Sequence, residues 1–195
     1  MSRYKILNQH GINFVTITVV DWVDVFIRKS YKDIVIESLR YCQKEKGLVI
    51  YAFVIMSNHL HLVVEASDEK FPLSDVLRDF KKFTAKSILD QIKQGRKESR
   101  KKWMLERFVY RGNKTEKNQK LQLWKNDNHP MLLYTLPILM QKIRYIHANP
   151  VKAGMVGKAE HYLYSSASNY FLNTGILDVR IIESPSSWYG YVAGV

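Results

Sequence analysis

Cysteine is almost absent from the sequence, since Cys42 is the only one. A single thiol excludes an intrachain disulfide and a zinc cluster built from cysteines. Long hydrophobic runs are also missing: the longest, Leu48 to Met56, is much shorter than the about 20 apolar residues that span a bilayer. The segment from Met1 to Gly11 has no apolar stretch of the kind found in signal peptides. We therefore expect a cytoplasmic protein with no membrane partner.

Acidic residues are scarce relative to basic ones. The chain has 18 Asp and Glu against 30 Lys and Arg, which gives a formal net charge of +12. Such a positive surface favours a polyanionic partner, most often a nucleic acid, although a basic chain can also be merely soluble or lie on anionic lipid. The apolar fraction of 46% is normal for a globular core, and 195 residues suit one domain with or without a tail.

The hydrophobic pattern predicts the element order β-α-β-β-α-(β)-α. In chain order, we expect a strand at Ile12 to Val20, a helix at Tyr31 to Lys46, a strand at Leu48 to Ile55, a turn at Met56 to Asn58, a strand ending near Glu65, a helix at Pro72 to Gln94, a fourth strand at Leu121 to Trp124 and a helix at Pro137 to Asn149. Pro150 is expected to end or bend the last helix.

This order predicts the α+β class. It matches a ferredoxin-like (split βαβ) antiparallel sheet with helices packed on one face, plus a C-terminal helix that carries Tyr145, and a tail. We expect residues 1–173 to form a single domain and residues 174–195 to form a tail of unknown role.

Two histidines, His59 and His61, lie in the strand that follows the turn. Strand side chains alternate between faces, so both imidazoles point the same way, about 7 Å apart along the strand, while Leu60 and Leu62 point into a core. Two imidazoles on one open face form half of a metal site. The simpler interpretation is a strand with two partly exposed histidines, and the spacing alone does not decide between them.

The helix before Pro150 carries Tyr145 and Asn149, which share a face because they are four residues apart. If that face meets the histidine strand, Asn149 can complete a metal shell and Tyr145 can reach a substrate. An ordinary half-buried tyrosine and an asparagine at a helix end explain the spacing equally simply, since the chain has 12 tyrosines.

Basic residues concentrate in two places. Lys81 and Lys82 lie mostly off the apolar stripe of the second helix, and Arg100, Lys101 and Lys102 belong to a basic run with aromatic residues interleaved. Cations mixed with aromatic rings are typical of single-stranded nucleic acid binding, because bases stack on the rings. A solvated charged face is the alternative. We predict that these five residues contact DNA.

Two segments resemble a known family. The segment Val54 to Val63, VIMSNHLHLV, resembles the histidine–hydrophobe–histidine motif of single-tyrosine transposases. The segment Tyr145 to Gly154, YIHANPVKAG, is similar to their tyrosine helix, and Tyr164 to Ala167 matches a further family stretch. The likeness runs from Ile12 to Tyr170, and the two motifs in this order are specific. The chain thus resembles the insertion-sequence-200-like enzymes, and most closely the REP-associated tyrosine transposases.

The resemblance implies a transposase that cleaves and rejoins hairpin-forming single-stranded DNA. It implies that Tyr145 attacks a phosphodiester and forms a 5′-phosphotyrosine, leaving a free 3′-hydroxyl. It implies that His59, His61 and Asn149 hold a divalent cation, Mg²⁺ or Mn²⁺, that polarises the scissile phosphate. Imidazoles alone favour transition metals, so substrate oxygens and water are expected to complete the shell.

Other functions are compatible with the same residues. A ferredoxin-like sheet can be a non-catalytic module that binds RNA or DNA, although no evident aromatic pair lies on alternating positions of the first strands. A domesticated transposase can bind hairpins with little turnover, and a replication initiator or relaxase can carry the same motif. The resemblance allows a monomer or a homodimer, and the closer relatives favour the monomer.

Overall fold

A four-stranded antiparallel sheet, in the order β2-β3-β1-β4, organises the protein. The computed structural model describes residues 5–95, 98–114 and 120–183. In chain order the elements are β1 (Asn13–Thr18), α1 (Lys29–Lys46), β2 (Leu48–Ile55), β3 (His59–Ala66), α2 (Leu73–Gln94), α3 (Lys101–Asn113), β4 (Met131–Leu132), α4 (Leu136–Lys152) and α5 (Ala167–Leu172). This is the split βαβ topology, and the predicted α+β, ferredoxin-like class is confirmed.

The two faces of the sheet pack against different helices. Leu60 and Leu62 of β3 join the core that α1 and α2 build, whereas Val63 joins a second core with Ile143 and Ile146 of α4. The predicted packing of helices on one face therefore holds for α1 and α2, and α4 covers part of the opposite face. Because strand side chains alternate, His59 and His61 lie on the same face as Val63, towards α4.

Three local predictions differ from the structure. The fourth strand is Met131–Leu132, and the expected strand at Leu121 to Trp124 is wrong, since only an isolated bridge joins Trp124 to Val19 there. The basic run contains a helix, α3, that the hydrophobic pattern did not predict. Helix α4 continues past Pro150 to Lys152, because a proline so near the helix end removes only one of its last hydrogen bonds.

Residues 174–183 lie against the domain. Leu177 is buried in the core of α1 and α2, the backbone N–H of Arg180 donates to the carbonyl of Ile50, and Arg40 donates to the carbonyl of Ile176. The remainder of the predicted tail, 184–195, lies outside the described residues, as do 96 and 97 of the basic run. Among the described helices, none is long and apolar enough to cross a membrane.

A buried histidine ties α4 to the sheet. His147 Nε2 lies 2.8 Å from Ser166 Oγ, and the same oxygen accepts the backbone N–H of Phe53 in β2 at 3.0 Å. Burial lowers the pKa of His147 to about 3. The ring is therefore neutral at pH 7, and the contact fixes the position of the helix that carries Tyr145.

This buried ring should make stability fall in acid. The unfolded chain protonates His147 near pH 6.5, whereas the folded chain does so only near pH 3, so this stability is present above pH 6.5 and is lost as the pH falls towards 3. Between pH 7 and pH 4 we expect this group to lower the free energy of unfolding by about 3 kcal/mol. His147→Gln should remove this pH-dependent part of the free energy of unfolding while keeping a polar atom near Ser166. Urea unfolding of wild type and His147→Gln at pH 7 and pH 4 measures this difference. If both proteins lost the same free energy of unfolding between the two pH values, the assignment to His147 would be contradicted.

Candidate active site

Strand pairing sets the two histidines side by side. His59 lies opposite Thr18 and His61 opposite Thr16 in the register of β3 with β1. The two imidazole centroids are 4.7 Å apart and the rings are nearly perpendicular, at 72°. The rings thus lean together from backbone positions that are about 7 Å apart along a strand. Their nitrogens can therefore meet at one point.

His61 is buried and fixed on both sides. Its ring stacks on Phe14 with centroids 5.3 Å apart, and its Nδ1 lies 2.8 Å from the hydroxyl oxygen of Thr16. Burial lowers the pKa of His61 to about 3, helped by the neighbouring His59 and Lys142 charges. The ring is neutral at pH 7, so its lone pair is available to a metal, and it is too weak a base to take a proton efficiently.

His59 is oriented by a chain of hydrogen bonds. Its Nδ1 lies 2.8 Å from Oδ1 of Asn58, and Nδ2 of Asn58 donates to the carboxylate of Asp24 at 2.9 Å. The carboxylate accepts only, so it fixes which end of the Asn58 amide faces His59. The amide oxygen also accepts only, so Nδ1 of His59 carries the proton and Nε2 carries the lone pair. Burial lowers the pKa of His59 as well.

Tyr145 comes from α4 to the same place. Its hydroxyl oxygen is 3.5 Å from Nε2 of His61, and its ring centroid is 5.2 Å from that of His61. The residue is 43% exposed, so a substrate can reach the hydroxyl group. The ammonium of Lys142, one turn earlier on α4, lies 4.9 Å from the Phe14 centroid and 5.7 Å from the Tyr145 centroid. Positive charge therefore lies directly beside the hydroxyl-bearing ring.

Asn149 lies one turn after Tyr145. Its amide Nδ2 donates to the backbone carbonyl of Tyr145 at 2.7 Å, so the amide oxygen is the atom left for a ligand. In the part of the chain that the structure describes, Asn149 has no hydrogen bond to His59 or His61, and no group of three His, Cys, Asp or Glu could hold a metal. As donor types, two imidazole nitrogens and one amide oxygen suit a divalent cation whose remaining ligands come from substrate and water.

The predicted DNA-binding residues fall into two groups. Lys82 and Lys102 are exposed to solvent. The other three donate inside the protein: Lys81 to the carbonyls of Lys125 and Asn126 and to Oδ1 of Asn128, Arg100 to Glu98 and to the carbonyl of Asp24, and Lys101 to the carbonyl of Lys93. Because burial lowers the pKa of Lys81 to about 8 and its three donors are used, Lys81 anchors the 125–128 loop. The contacts of all five residues with DNA remain predictions.

Several residues of the site carry no signal that the sequence pattern could reveal. Thr16, Asn58 and Asp24 act through the two histidines, and Lys142 resembles any other lysine on a helix. Asn58 alone had a clue, since it lies directly before His59 in the motif segment. Its partner Asp24 is distant in the chain and becomes its neighbour only through folding.

Removing the amide that orients His59 should weaken metal binding. We expect Asn58→Ala to raise the dissociation constant for Mn²⁺ about 10- to 100-fold, since Nδ1 of His59 loses its acceptor and the ring is free to change tautomer. Asn58→Asp keeps an acceptor oxygen for His59 but sets a second carboxylate against Asp24, so its dissociation constant should lie between those of Asn58→Ala and wild type. Titration calorimetry gives both values. Wild-type affinity in Asn58→Ala would show that Asn58 does not position the ligand.

The fold and site together define a class: a ferredoxin-like domain whose sheet presents two histidines to a tyrosine on helix α4. Comparison with known proteins agrees. The family model described as "Transposase IS200 like" matches residues 8–124, more than half of the chain. The chain belongs to the IS200-like transposase family. The matched residues include His59 and His61 and end before Tyr145 and Asn149.

A solved structure described as a REP-associated tyrosine transposase bound to a REP hairpin has the same fold. It is 16% identical, covers 95% of this chain and 96% of its own, and superposes with a TM-score of 0.64. A search of curated protein sequences finds no match. The family resemblance drawn from the two motifs is thereby confirmed, and the protein is a transposase, a DNA-binding protein of DNA recombination.

Proposed function

We propose that this transposase cleaves and rejoins hairpin-forming single-stranded DNA through a covalent bond to Tyr145. The observation that carries the proposal is the position of the Tyr145 hydroxyl, exposed and 3.5 Å from Nε2 of a neutral histidine. The proposed nucleophile thus lies beside the histidine that is proposed to bind a metal. The family match and the hairpin in the similar solved structure support DNA as the substrate.

The reaction requires one bond to form as another breaks. The phenol of Tyr145 loses its proton to solvent and its oxygen attacks the scissile phosphorus. The bond from phosphorus to the 3′ oxygen breaks, that oxygen takes up a proton, and the 5′ phosphate remains on Tyr145. Rejoining is the reverse attack by a 3′-hydroxyl group, so no nucleotide cofactor is needed.

His59, His61 and Asn149 are the residues that would hold Mg²⁺ or Mn²⁺. When bound, such a cation withdraws electron density from the scissile phosphate. The protein contributes the fixed tautomer of His59, the buried and neutral ring of His61, and the rigid helix that presents Tyr145. Lys142 adds a positive charge beside the phenol ring, where a phosphate would enter.

The site is built within one chain. Tyr145 of α4 meets His61 of β3 in the same molecule, so nucleophile and imidazoles need no second subunit to come together. We therefore propose that the protein cleaves as a monomer, in the cytoplasm.

Metal-dependent cleavage tests this function. Purified protein is incubated with end-labelled hairpin DNA that has single-stranded flanks, with Mn²⁺, Mg²⁺ or EDTA. We expect a strand break and a protein–DNA adduct that survives denaturation, with Mn²⁺ or Mg²⁺ only. Fully duplex DNA of the same sequence should remain intact. Tight hairpin binding without cleavage, over a library of hairpins, would favour a domesticated binding protein instead.

The exposed lysines should set the salt dependence of DNA binding. Lys82→Gln and Lys102→Gln should each reduce the slope of log affinity against log salt by about 0.7, the value for one phosphate contact with a single strand. Lys44→Gln is the matched control, because Lys44 is an exposed lysine of α1 that is not among the predicted DNA-binding residues. Fluorescence anisotropy at several salt concentrations gives the slopes. An unchanged slope would remove that lysine from the interface.

A further inference from the structure

An exposed tryptophan lies at the edge of the histidine pair. Trp22 ends a 3₁₀ turn at Val20–Trp22, directly after β1, and its ring centroid is 5.9 Å from that of His59 at an interplanar angle of 82°. The residue is 55% exposed. A large indole in such a position leaves an apolar face in water right beside the proposed cleavage site.

The backbone holds Trp22 there at a conformational cost. Asp21 and Trp22 both have positive φ angles, 52° and 55°, which side-chain-bearing residues rarely adopt. The turn is fixed by the carboxylate of Asp21, which accepts from Nε of Arg111 at 2.6 Å, and by the N–H of Val20, which donates to Leu123. Consecutive left-handed residues of this kind collect at binding sites, where the surrounding structure maintains them.

Positive charge lies over one face of the ring and around the turn that carries it. The ammonium of Lys125 lies 4.3 Å from the Trp22 centroid, and the backbone of Lys125 is fixed by a hydrogen bond to the carbonyl of Thr18. Arg107, Arg111 and Lys125 are all close enough to Asp21 to favour its charged form. An aromatic face bordered by cations is the arrangement that binds single-stranded nucleic acid, where bases stack and phosphates pair with the cations.

We propose that Trp22 is a stacking platform for an unpaired nucleobase next to the scissile phosphate, and that Lys125 contacts a phosphate of the same strand. This site rests on the proposed function for its substrate class. It adds a base-binding position to a site otherwise made of phosphate- and metal-directed groups. The stacked base would hold the strand against His59 and thereby place its phosphate within reach of Tyr145.

Binding to two simple probes tests this proposal without any cleavage. The probes are a short oligothymidylate and an abasic oligomer of the same length and charge, both measured by anisotropy in EDTA. Wild-type protein should bind the oligothymidylate about tenfold more tightly than the abasic oligomer. Trp22→Asn should lose that preference while binding the abasic oligomer like wild type, because asparagine tolerates the left-handed backbone and removes the ring.

Two further variants complete the test. Trp22→Phe should restore most of the preference, and Tyr41→Asn, which removes an exposed ring from α1 on the opposite face, should keep all of it. A wild-type protein that does not distinguish the two probes overturns the proposal whether or not any variant folds. So does a Trp22→Asn variant that retains the preference. Either result leaves adduct formation at Tyr145 untouched, so the two failures are distinguishable.

Discussion

Tyr145→Phe should eliminate the covalent adduct and lower the cleavage rate at least about a thousandfold. The substitution removes only the hydroxyl oxygen that lies 3.5 Å from His61, while the ring keeps its edge contacts with His61 and Phe14. Folding, metal binding and hairpin binding should therefore stay close to wild type. The loss is expected in the rate of strand breakage and not in the affinity for DNA, because the oxygen acts on the phosphorus alone.

The matched control for this variant is Tyr134→Phe. Tyr134 is a strongly exposed tyrosine just before α4, so it tests whether the loss of any accessible phenol matters. We expect wild-type cleavage and a normal adduct. Denaturing gel electrophoresis of labelled hairpin reactions compares all three proteins. An adduct that persists in Tyr145→Phe would mean that another tyrosine is the nucleophile.

His61→Ala and His59→Ala should each lower metal-dependent cleavage by about a hundredfold or more, while leaving most DNA binding intact. Each variant removes one of the two imidazoles whose ring centroids lie 4.7 Å apart. Binding should survive because the lysines that we propose contact phosphates, Lys82 and Lys102, lie on other elements. His59→Ala is the cleaner variant, since His61 also packs on Phe14 and its removal costs stability.

Two measurements separate metal loss from misfolding. Thermal denaturation with and without Mn²⁺ should show a metal-dependent rise in Tm for wild type and for His161→Ala, an exposed histidine far along the chain from β3, and none for the two site variants. Anisotropy in EDTA should give hairpin affinities within a few-fold of wild type for all four proteins. Cleavage at the wild-type rate in either site variant would contradict the assignment of its imidazole as a ligand.

The histidine strand was predictable because β3 is long and begins with an alternation of histidine and leucine from His59 to Leu62. A period of two is enough to place His59 and His61 on one face and Leu60 on the other, whatever the strand pairs with. The same holds for Tyr145 and Asn149, whose spacing alone puts them on one side of α4. Local periodicity therefore placed each pair of residues on one face, and the family resemblance predicted that the two pairs form a site. That the two faces meet is a matter of folding, which the contact between Tyr145 and His61 demonstrates.

Other parts of the fold could not be foreseen from local pattern. Strand β4 has two residues, too few for any periodicity, and exists because Met131 and Leu132 pair with β1. The apolar residues around Trp124 gave a pattern typical of a strand. They are buried in the core without forming one: Trp124 stacks on Phe26 and its indole N–H donates to Thr84. In both places tertiary contacts override the local sequence signal.

Local sequence pattern also failed to predict which lysine side chains are exposed. Lys81 and Lys82 are neighbours on α2 with the same chemistry, yet Lys81 is enclosed by the carbonyls of the 125–128 loop and Lys82 faces solvent. A helix pattern gives the angle at which a side chain leaves the helix, and it says nothing of a loop that returns forty residues later. The division of the predicted DNA-binding residues into exposed and internal ones needed the structure.

The measurement that most directly tests the central claim is mass spectrometry of the adduct after proteolysis and nuclease digestion. Protein is reacted with hairpin DNA and Mn²⁺, denatured and digested, and the modified peptide is sequenced. We expect a nucleotide joined through its 5′ phosphate to Tyr145, with a free 3′-hydroxyl on the released strand. A phosphate on any other residue, or a 3′-phosphate linkage, would contradict Tyr145 as the nucleophile and the chemistry proposed for this site.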